Sequence, residues 1–346
     1  MNIIRIGIDL AKYSFALCGV DQHDQVVLQR SLKRDELLTF FANLPPCLIA
    51  MESGTGAHHW ARALIRLGHD ARIIDARFVV PYRKQGKTGK NDLNDAAAIC
   101  EAAGRPTMRF VPVKESDQQA ILIVHRMRAS YVTEHTRVSN QIRGVLAEFG
   151  VVVPKGITAL KRRWITLRQN CADQVPSLAW AEIDKLYQRL LDLHQSILAY
   201  NRQISAFVRE DTRAKQLTLI SGIGPITASA IVATIGDGHL FRNGRQFAAW
   251  VGLTPQQYST GGKQRLGRIS KRGNTYLRTL LVHGARVELV HTAKRTDRKS
   301  RWAEKLKASK SWNKTSVALA NKHARIAWAL LAKGQAYQLT PERSAH

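Results

Sequence analysis

Four carboxylates stand where the chain leaves a strand or enters a helix. Asp9 lies at the end of the apolar run 2–10 (NIIRIGIDL), and Glu52 closes 47–52 (CLIAME). Each run reads as a short buried strand ending in an acid. Asp92 and Asp95 follow a polar, glycine-containing loop at 81–91 and open a helical pattern. Being three apart, they share one helical face. Strand ends and a helix start can converge on one edge of a twisted sheet, and four acids gathered there repel one another unless a divalent cation binds. Hard oxygen ligands suit Mg2+, and two such ions stabilise the attacking and leaving oxygens at a phosphodiester. Singly, such acids serve solubility and capping. The order strand, strand, helix, helix favours the metal site.

Two further places carry residues suited to phosphates. In the stretch 255–263 (PQQYSTGGK) the hydroxyls of Ser259 and Thr260 sit on a glycine-flanked basic loop, with Lys263, Arg265, Arg268, Lys271 and Arg272 close behind. These five cations neutralise phosphates, mostly as backbone contacts that position a nucleic acid. In Ser221-Gly222-Ile223-Gly224-Pro225, between apolar helical segments, Gly222 and Gly224 allow close backbone approach, and the N–H groups of the next helix start are suited to hold a phosphate. A tight interhelical turn with no ligand explains the same residues equally well. The loop at 81–91 adds Lys84, Lys87 and Lys90 as nucleic-acid contacts.

The elements that must position these groups follow from the hydropathy pattern. Residues 13–20 and 25–31 continue the first strand as a three-stranded start. A helix at 34–43, the strand ending at Glu52, a helix at 57–67 and a strand at 71–75 complete a mixed sheet flanked by helices. Helical pattern then runs from 116 to 148. From 178 to 209, Ile183, Leu186, Leu190, Leu193, Ile197 and Ile204 recur at intervals of three, four or seven, predicting a long amphipathic helix suited to a coiled coil. A last apolar helix lies near 313–333. The expected fold is α/β plus α: a catalytic domain over 1–110, a helical linker and coiled coil over 111–210, and a mainly helical basic domain over 211–346.

Composition agrees with a nucleic-acid partner. At about 150 residues per domain, 346 residues make two domains or slightly more. Hydrophobic residues at 45% and charged residues at 23% exclude a disordered chain. Lys and Arg number 53 against 26 Asp and Glu, a formal net charge of +27. Such a surface repels itself until it meets a polyanion. The excess is steepest after residue 250, with 20 basic and 4 acidic side chains. Cys18, Cys47, Cys100 and Cys171 form no CxxC pair, which fits a reducing cytoplasm. Arg5, Asp9 and Lys12 break the apolar N-terminal stretch, and no run reaches the roughly 20 apolar residues of a membrane span. A cytoplasmic protein acting at the nucleoid is expected. His58 and His59, being adjacent, point in different directions and make no metal pair. Most of the tryptophans read as core.

Ile8-Asp9, Met51-Glu52-Ser53-Gly54 and Lys90-Asn91-Asp92-Leu93-Asn94-Asp95 resemble the DEDD motif of the RuvC-like, RNase H-type domain in one family of insertion-sequence transposases. These are the bridge-RNA or seeker-RNA guided recombinases typified by IS110 and its IS1111 subgroup. LISGIGPITASAIVATIG, FAAWVGLTP and the stretch 259–274 resemble the family's C-terminal transposase domain. The likeness covers residues 3 to about 290. It implies that Asp9, Glu52, Asp92 and Asp95 bind Mg2+ and that a serine in the 255–263 loop attacks DNA to form a phosphoserine link. It also implies donor and target DNA and a non-coding guide RNA as partners. A homo-oligomer follows as well: dimer contacts through the coiled coil, and an active tetramer in which one subunit's acids meet another's serine. Relatives often carry serine directly before the glycine, where this chain has Thr260. Ser259, a less hindered primary hydroxyl, and Thr260 therefore both stand as the nucleophile. A junction-resolving nuclease with an idle serine and a nucleic-acid binding protein with no catalysis are the other classes open to these residues.

Overall fold

A computed structural model describes residues 2–83, 91–334 and 337. The chain forms two compact units, Met1–Ser116 and Asp117–His346. Lys84, Lys87 and Lys90 lie outside the described residues.

Unit 1 is a six-stranded sheet with helices on both faces. It begins with the meander β1 (Arg5–Leu10), β2 (Ser14–Val20) and β3 (Val26–Lys33), followed by α1 (Leu37–Ala42). Then come β4 (Leu48–Glu52), α2 (Ala57–Arg66), β5 (Asp70–Ile74), a short α3 (Ala76–Val79), α4 (Asp92–Ala103) and β6 (Phe110–Val111). The strand order is β3-β2-β1-β4-β5-β6. β1, β4 and β5 run parallel, while β2, β3 and β6 are antiparallel to their neighbours. The α-helical crossovers that parallel neighbours require are what give the sheet its covered faces.

Those faces differ in side-chain size. Ile6, Ile8, Phe15, Leu17, Ile49, Met51 and Ile73 form a large apolar layer with Leu37, Phe41, Trp60 and Leu64 of α1 and α2. On the opposite face small residues dominate. Ala50 packs with Ala98, Ile99 and Ala102 of α4, and Ala16 packs with Ala96. Gly7 brings α4 closest: a Cβ there would lie 2.2 Å from the Ala96 carbonyl oxygen and 2.4 Å from the Cys100 nitrogen. Gly7→Ala therefore has to push α4 off the sheet. We expect a loss of about 1–3 kcal/mol or more in the stability of unit 1, measured as a lower urea midpoint. A midpoint equal to wild type would show that α4 is not seated as described.

Unit 2 is mainly helical. Its two longest helices, α5 (Ser116–Glu148) and α7 (Ser177–Glu210), enclose α6 (Ile157–Asn170). Val138, Ile142, Leu146, Leu160, Trp164, Trp180, Ile183, Leu190 and Leu193 make one buried cluster. The apolar stripe of α7, expected as a coiled-coil seam, is thus filled largely from within the chain, and Ile204 is buried with Ile121 and Ala233. The remainder is α8 (Thr212–Leu217), α9 (Pro225–Ile235), α10 (Gly244–Val251), a hairpin of β7 (Pro255–Gln257) and β8 (Leu266–Ile269), α11 (Thr275–His291), α12 (Arg298–Ser309) and α13 (Trp312–Lys333). α9 is buried nearly all round at the centre of the second core. All four cysteines are free thiols. Among the described residues no helix is long and apolar enough to cross a membrane.

Candidate functional site

The sheet register sets two of the four acids side by side. β1 and β4 pair in parallel with Ile8 opposite Met51, so Asp9 and Glu52 follow as neighbours at the carboxyl ends of adjacent strands. This is the edge where parallel α/β sheets gather their ligands. Asp9 lies two residues past Gly7 and Glu52 two past Ala50, which places both acids on the face covered by α4. α4 begins at this edge. Asn91 caps it, its side-chain oxygen accepting from the Leu93 N–H at 3.0 Å, so Asp92 and Asp95 fall in the first turn. The close packing at Gly7 therefore decides how near the helix acids come to the strand acids.

Burial, then the carboxylates of Asp95, Asp92 and Glu52, push the Asp9 carboxyl above its ordinary range, and Arg83 pulls the other way. Arg83 was not anticipated from the sequence. Its Nη2 donates to Glu52 Oε2 at 2.7 Å, and its Nε lies 3.1 Å from Asp95 Oδ1. One guanidinium thus bridges a strand acid and a helix acid that are each about three-quarters buried. Among the described residues no three His, Cys, Asp or Glu side chains are close enough to hold one ion. Two of the four acids, Glu52 and Asp95, are held by the Arg83 guanidinium instead of by a shared ion. The donor set is nonetheless all hard oxygen, and a cation already sits in it. In its donor chemistry the set fits a hard divalent ion, and Arg83 holds two of its members, Glu52 and Asp95.

A test follows from that competition. Arg83→Gln keeps polar contacts but removes the positive charge. Because Arg83 is more than a third exposed, solvent screening reduces the effect. We expect divalent ions to bind about tenfold more tightly in calorimetric titration. An unchanged or weaker affinity would mean that Arg83 does not occupy the ions' place.

The hydroxyl pair of unit 2 is on a β-hairpin rather than an irregular loop. Gln257 pairs with Leu266, Thr260 bridges to Lys263, and the tip residues Gly261 and Gly262 have φ of +54° and +77°. Two successive positive φ values are what a tight hairpin turn requires, and Gly-Gly supplies them. Ser259 and Thr260 are exposed beside this tip. Ser259 Oγ accepts from the Gln257 side-chain amide at 2.9 Å. Lys263 and Arg265 lie between the tip and β8, Arg268 is on β8, and Lys271 and Arg272 follow its end. Lys271 itself adopts φ +53°, its N–H bonded to the Gly252 carbonyl.

The glycine turn is built by packing. Gly222 has φ +88°, and its carbonyl sits where a Cβ on Gly284 of α11 would be, 1.8 Å away. Gly224 is the N-cap of α9, with Pro225 as its first residue. Beneath the turn lies an ionic group that the sequence did not reveal. Glu288, buried, forms an ion pair with Lys299 Nζ at 2.8 Å, and its other carboxylate oxygen accepts from His323 Nε2 at 2.6 Å. Burial raises the Glu288 carboxyl, but His323 and Lys299 outweigh it and hold the group below its ordinary value. Lys299 Nζ also reaches the Ser221 carbonyl at 3.4 Å, and Arg295 bonds the Ser221 hydroxyl. The cluster ties the turn to α11, α12 and α13.

His58 spends its Nδ1 on the Lys114 N–H. Of the tryptophans, Trp60, Trp164, Trp180 and Trp328 are buried, in keeping with core packing.

Comparisons with known proteins identify the family. A transposase family model of the IS110 DEDD type matches residues 6–150, and a second, the transposase IS116/IS110/IS902 family, matches residues 214–301. A Pseudomonas aeruginosa protein described as a probable family 20 transposase is 49% identical over 98% of this chain and 99% of its own length. The chain belongs to the IS110/IS116 family of insertion-sequence transposases. The transposase of insertion sequence IS1328 from Yersinia enterocolitica is 39% identical over 97% of this chain and 99% of the relative. That of IS1111A from Coxiella burnetii is 37% identical over 96% and 91%. As a member of this family the chain is a DNA transposase, and divalent-metal dependence is typical of its DEDD domain.

Proposed function

We propose that this transposase joins donor and target DNA by strand exchange, using the acids of unit 1 with Mg2+ and a hydroxyl of unit 2 as nucleophile. The observation that supports the reading is geometric: the β1–β4 register sets Asp9 and Glu52 at adjacent strand ends, and the Asn91 cap puts Asp92 and Asp95 in the first turn of α4, which packs on the same face. Mg2+ held by these carboxylates supplies charge stabilisation at the phosphodiester. Ser259, with Thr260 as the alternative, supplies the covalent step. Its Oγ gives up its proton and bonds to phosphorus as one DNA P–O bond breaks, and the departing oxygen takes up a proton. The product is a phosphodiester between serine and DNA. Attack on it by a hydroxyl of another DNA strand releases the serine and conserves the phosphodiester energy. Lys263, Arg265, Arg268, Lys271 and Arg272 hold the flanking phosphates. Gly222 and Gly224 offer a backbone contact to DNA, and Lys84, Lys87 and Lys90 add charge before the helix acids.

By resemblance to the guided subgroup, a non-coding RNA pairs with both DNA partners and sets the target, and the active species is an oligomer. Domains are assigned as 1–110 catalytic and RuvC-like, 111–210 linking and 211–346 nucleophile-bearing. Because the inner stripe of α7 is filled within the chain, self-association uses outer faces. Ile123 and Met127 of α5, four residues apart and 53% and 42% exposed, are available for it.

A denaturing gel with labelled donor DNA and co-purified RNA tests this reading. We expect protein covalently attached to DNA with Mg2+ and none with EDTA. Metal-dependent cutting with no attached protein would instead establish a hydrolytic nuclease whose serine is idle.

A further inference from the structure

A groove of about 1880 Å3 opens on unit 2 between the hairpin and α13. It is larger than the roughly 300–1,000 Å3 that encloses a small ligand. Seven Lys and Arg side chains line it, and no lining residue is acidic. Arg268 and Lys271 stand on the hairpin side, and Arg245 is at the start of α10. Lys314, Lys322 and Arg325 project from α13. Burial and the neighbouring cations Lys299, Arg298 and Arg325 push the Lys322 ammonium below its ordinary value. Cations crowded in this way, with no acid among the lining residues, call for a polyanion.

The same groove is apolar between its charges. Leu266, 61% exposed on β8, shares the wall with Pro255 and Ile269, and Val317, Ile326 and Trp302 line the other side. Lys322 Nζ lies 4.3 Å from the ring centroid of Trp302, another lining residue, a cation–π contact. A duplex shows a protein groove mainly its phosphates. An unpaired strand shows phosphates and base faces together, and basic grooves with apolar or aromatic platforms are how such strands are held. Trp302 and all of α13 lie outside both segments matched by the family models.

We propose that the groove between the β7–β8 hairpin and α13 seats an unpaired DNA strand. The choice of DNA rests on the family's DNA transposase activity and is independent of the serine mechanism. The strand's phosphates lie along Lys314, Arg325 and Arg268, and its bases lean on Leu266 and its apolar neighbours.

The test is fluorescence anisotropy with the full chain in EDTA, so that nothing is cut. The probes are a short unpaired DNA, a hairpin duplex of the same sequence and the RNA equivalent, each titrated over a range of salt. Lys314 and Arg325 are exposed, and replacing both with Gln spares the core. We expect the salt slope for unpaired DNA to fall by about 1.4, two phosphates at roughly 0.7 each. Leu266→Asn should weaken unpaired DNA and leave the duplex unchanged. Replacing Arg162 and Arg163 of α6 with Gln, an equal loss of charge, should alter neither. The proposal is overturned if the groove variants bind unpaired DNA like wild type, if they affect the duplex alone, or if only RNA depends on them. Because binding is read without catalysis, its failure is distinct from the absence of a covalent band.

Discussion

Asp9→Asn is expected to lower metal-dependent strand cleavage by about a thousandfold or more with the fold intact. The amide is nearly the same shape as the carboxylate but cannot share the negative charge that holds a divalent ion. A metal's contribution to a phosphoryl-transfer transition state is several kcal/mol, and each 1.36 kcal/mol is tenfold in rate. Asp9 is the acid at which the effect should be greatest, since Asp95, Asp92 and Glu52 all act on it. Stability should move in the opposite direction. The Asp9 carboxyl is held above its ordinary value, so its ionisation is disfavoured in the folded chain, and stability falls as pH rises through the window between the unfolded and folded values. Asn removes that cost. In EDTA at neutral pH the variant should melt no lower than wild type, and the comparison should shift toward wild type as the pH drops below the ordinary carboxylate range. An inactive variant that also melts several degrees lower would mean that Asp9 is structural.

Ser259→Ala is expected to abolish the covalent protein–DNA species, a loss of at least about a thousandfold, while Thr260→Ala retains most of it. Both hydroxyls are exposed at the hairpin tip, so neither substitution removes buried packing. What separates them is chemistry. Serine's primary hydroxyl approaches phosphorus with less hindrance than the branched threonine. Loss of the band in Thr260→Ala alone would move the nucleophile one residue toward the glycines. Loss in neither would remove the hydroxyl step from the reaction. DNA binding measured alongside should be nearly unchanged in both variants, because the phosphate contacts assigned here come from the cations beyond them.

The residues that position the acids were largely legible in the sequence, because the relevant signals are local. Apolar runs closed by Asp9 and Glu52 are short strands buried on both faces, and Asn91 before Asp92 is a helix cap. The pattern from 116 to 148 is one helix with those ends. What escaped depends on distant residues meeting. Arg83 reaches Glu52 across 31 positions of sequence, and no periodicity marks such a pairing. Glu288, Lys299 and His323 come from three helices and read singly as ordinary surface charges. The hairpin at 255–269 was hidden for a different reason. Its strands are polar and short of β-branched residues, so the alternation that marks a strand is weak. The Gly261-Gly262 pair was the one signal available. The groove was invisible because its cations run from Arg245 to Arg325 and share a wall only after α13 folds back beside the hairpin.

The measurement that tests the central claim most directly is complementation between two inactive chains. Asp9→Asn retains the hydroxyl, Ser259→Ala retains the acids, and a size tag on the first distinguishes them on a denaturing gel. If one subunit's carboxylates serve another's serine, mixing the two with Mg2+, guide RNA and donor DNA restores a covalent band, and the DNA is attached to the tagged Asp9→Asn chain. A mixture as inactive as its components, beside an active wild type under the same conditions, would contradict an active site shared between subunits.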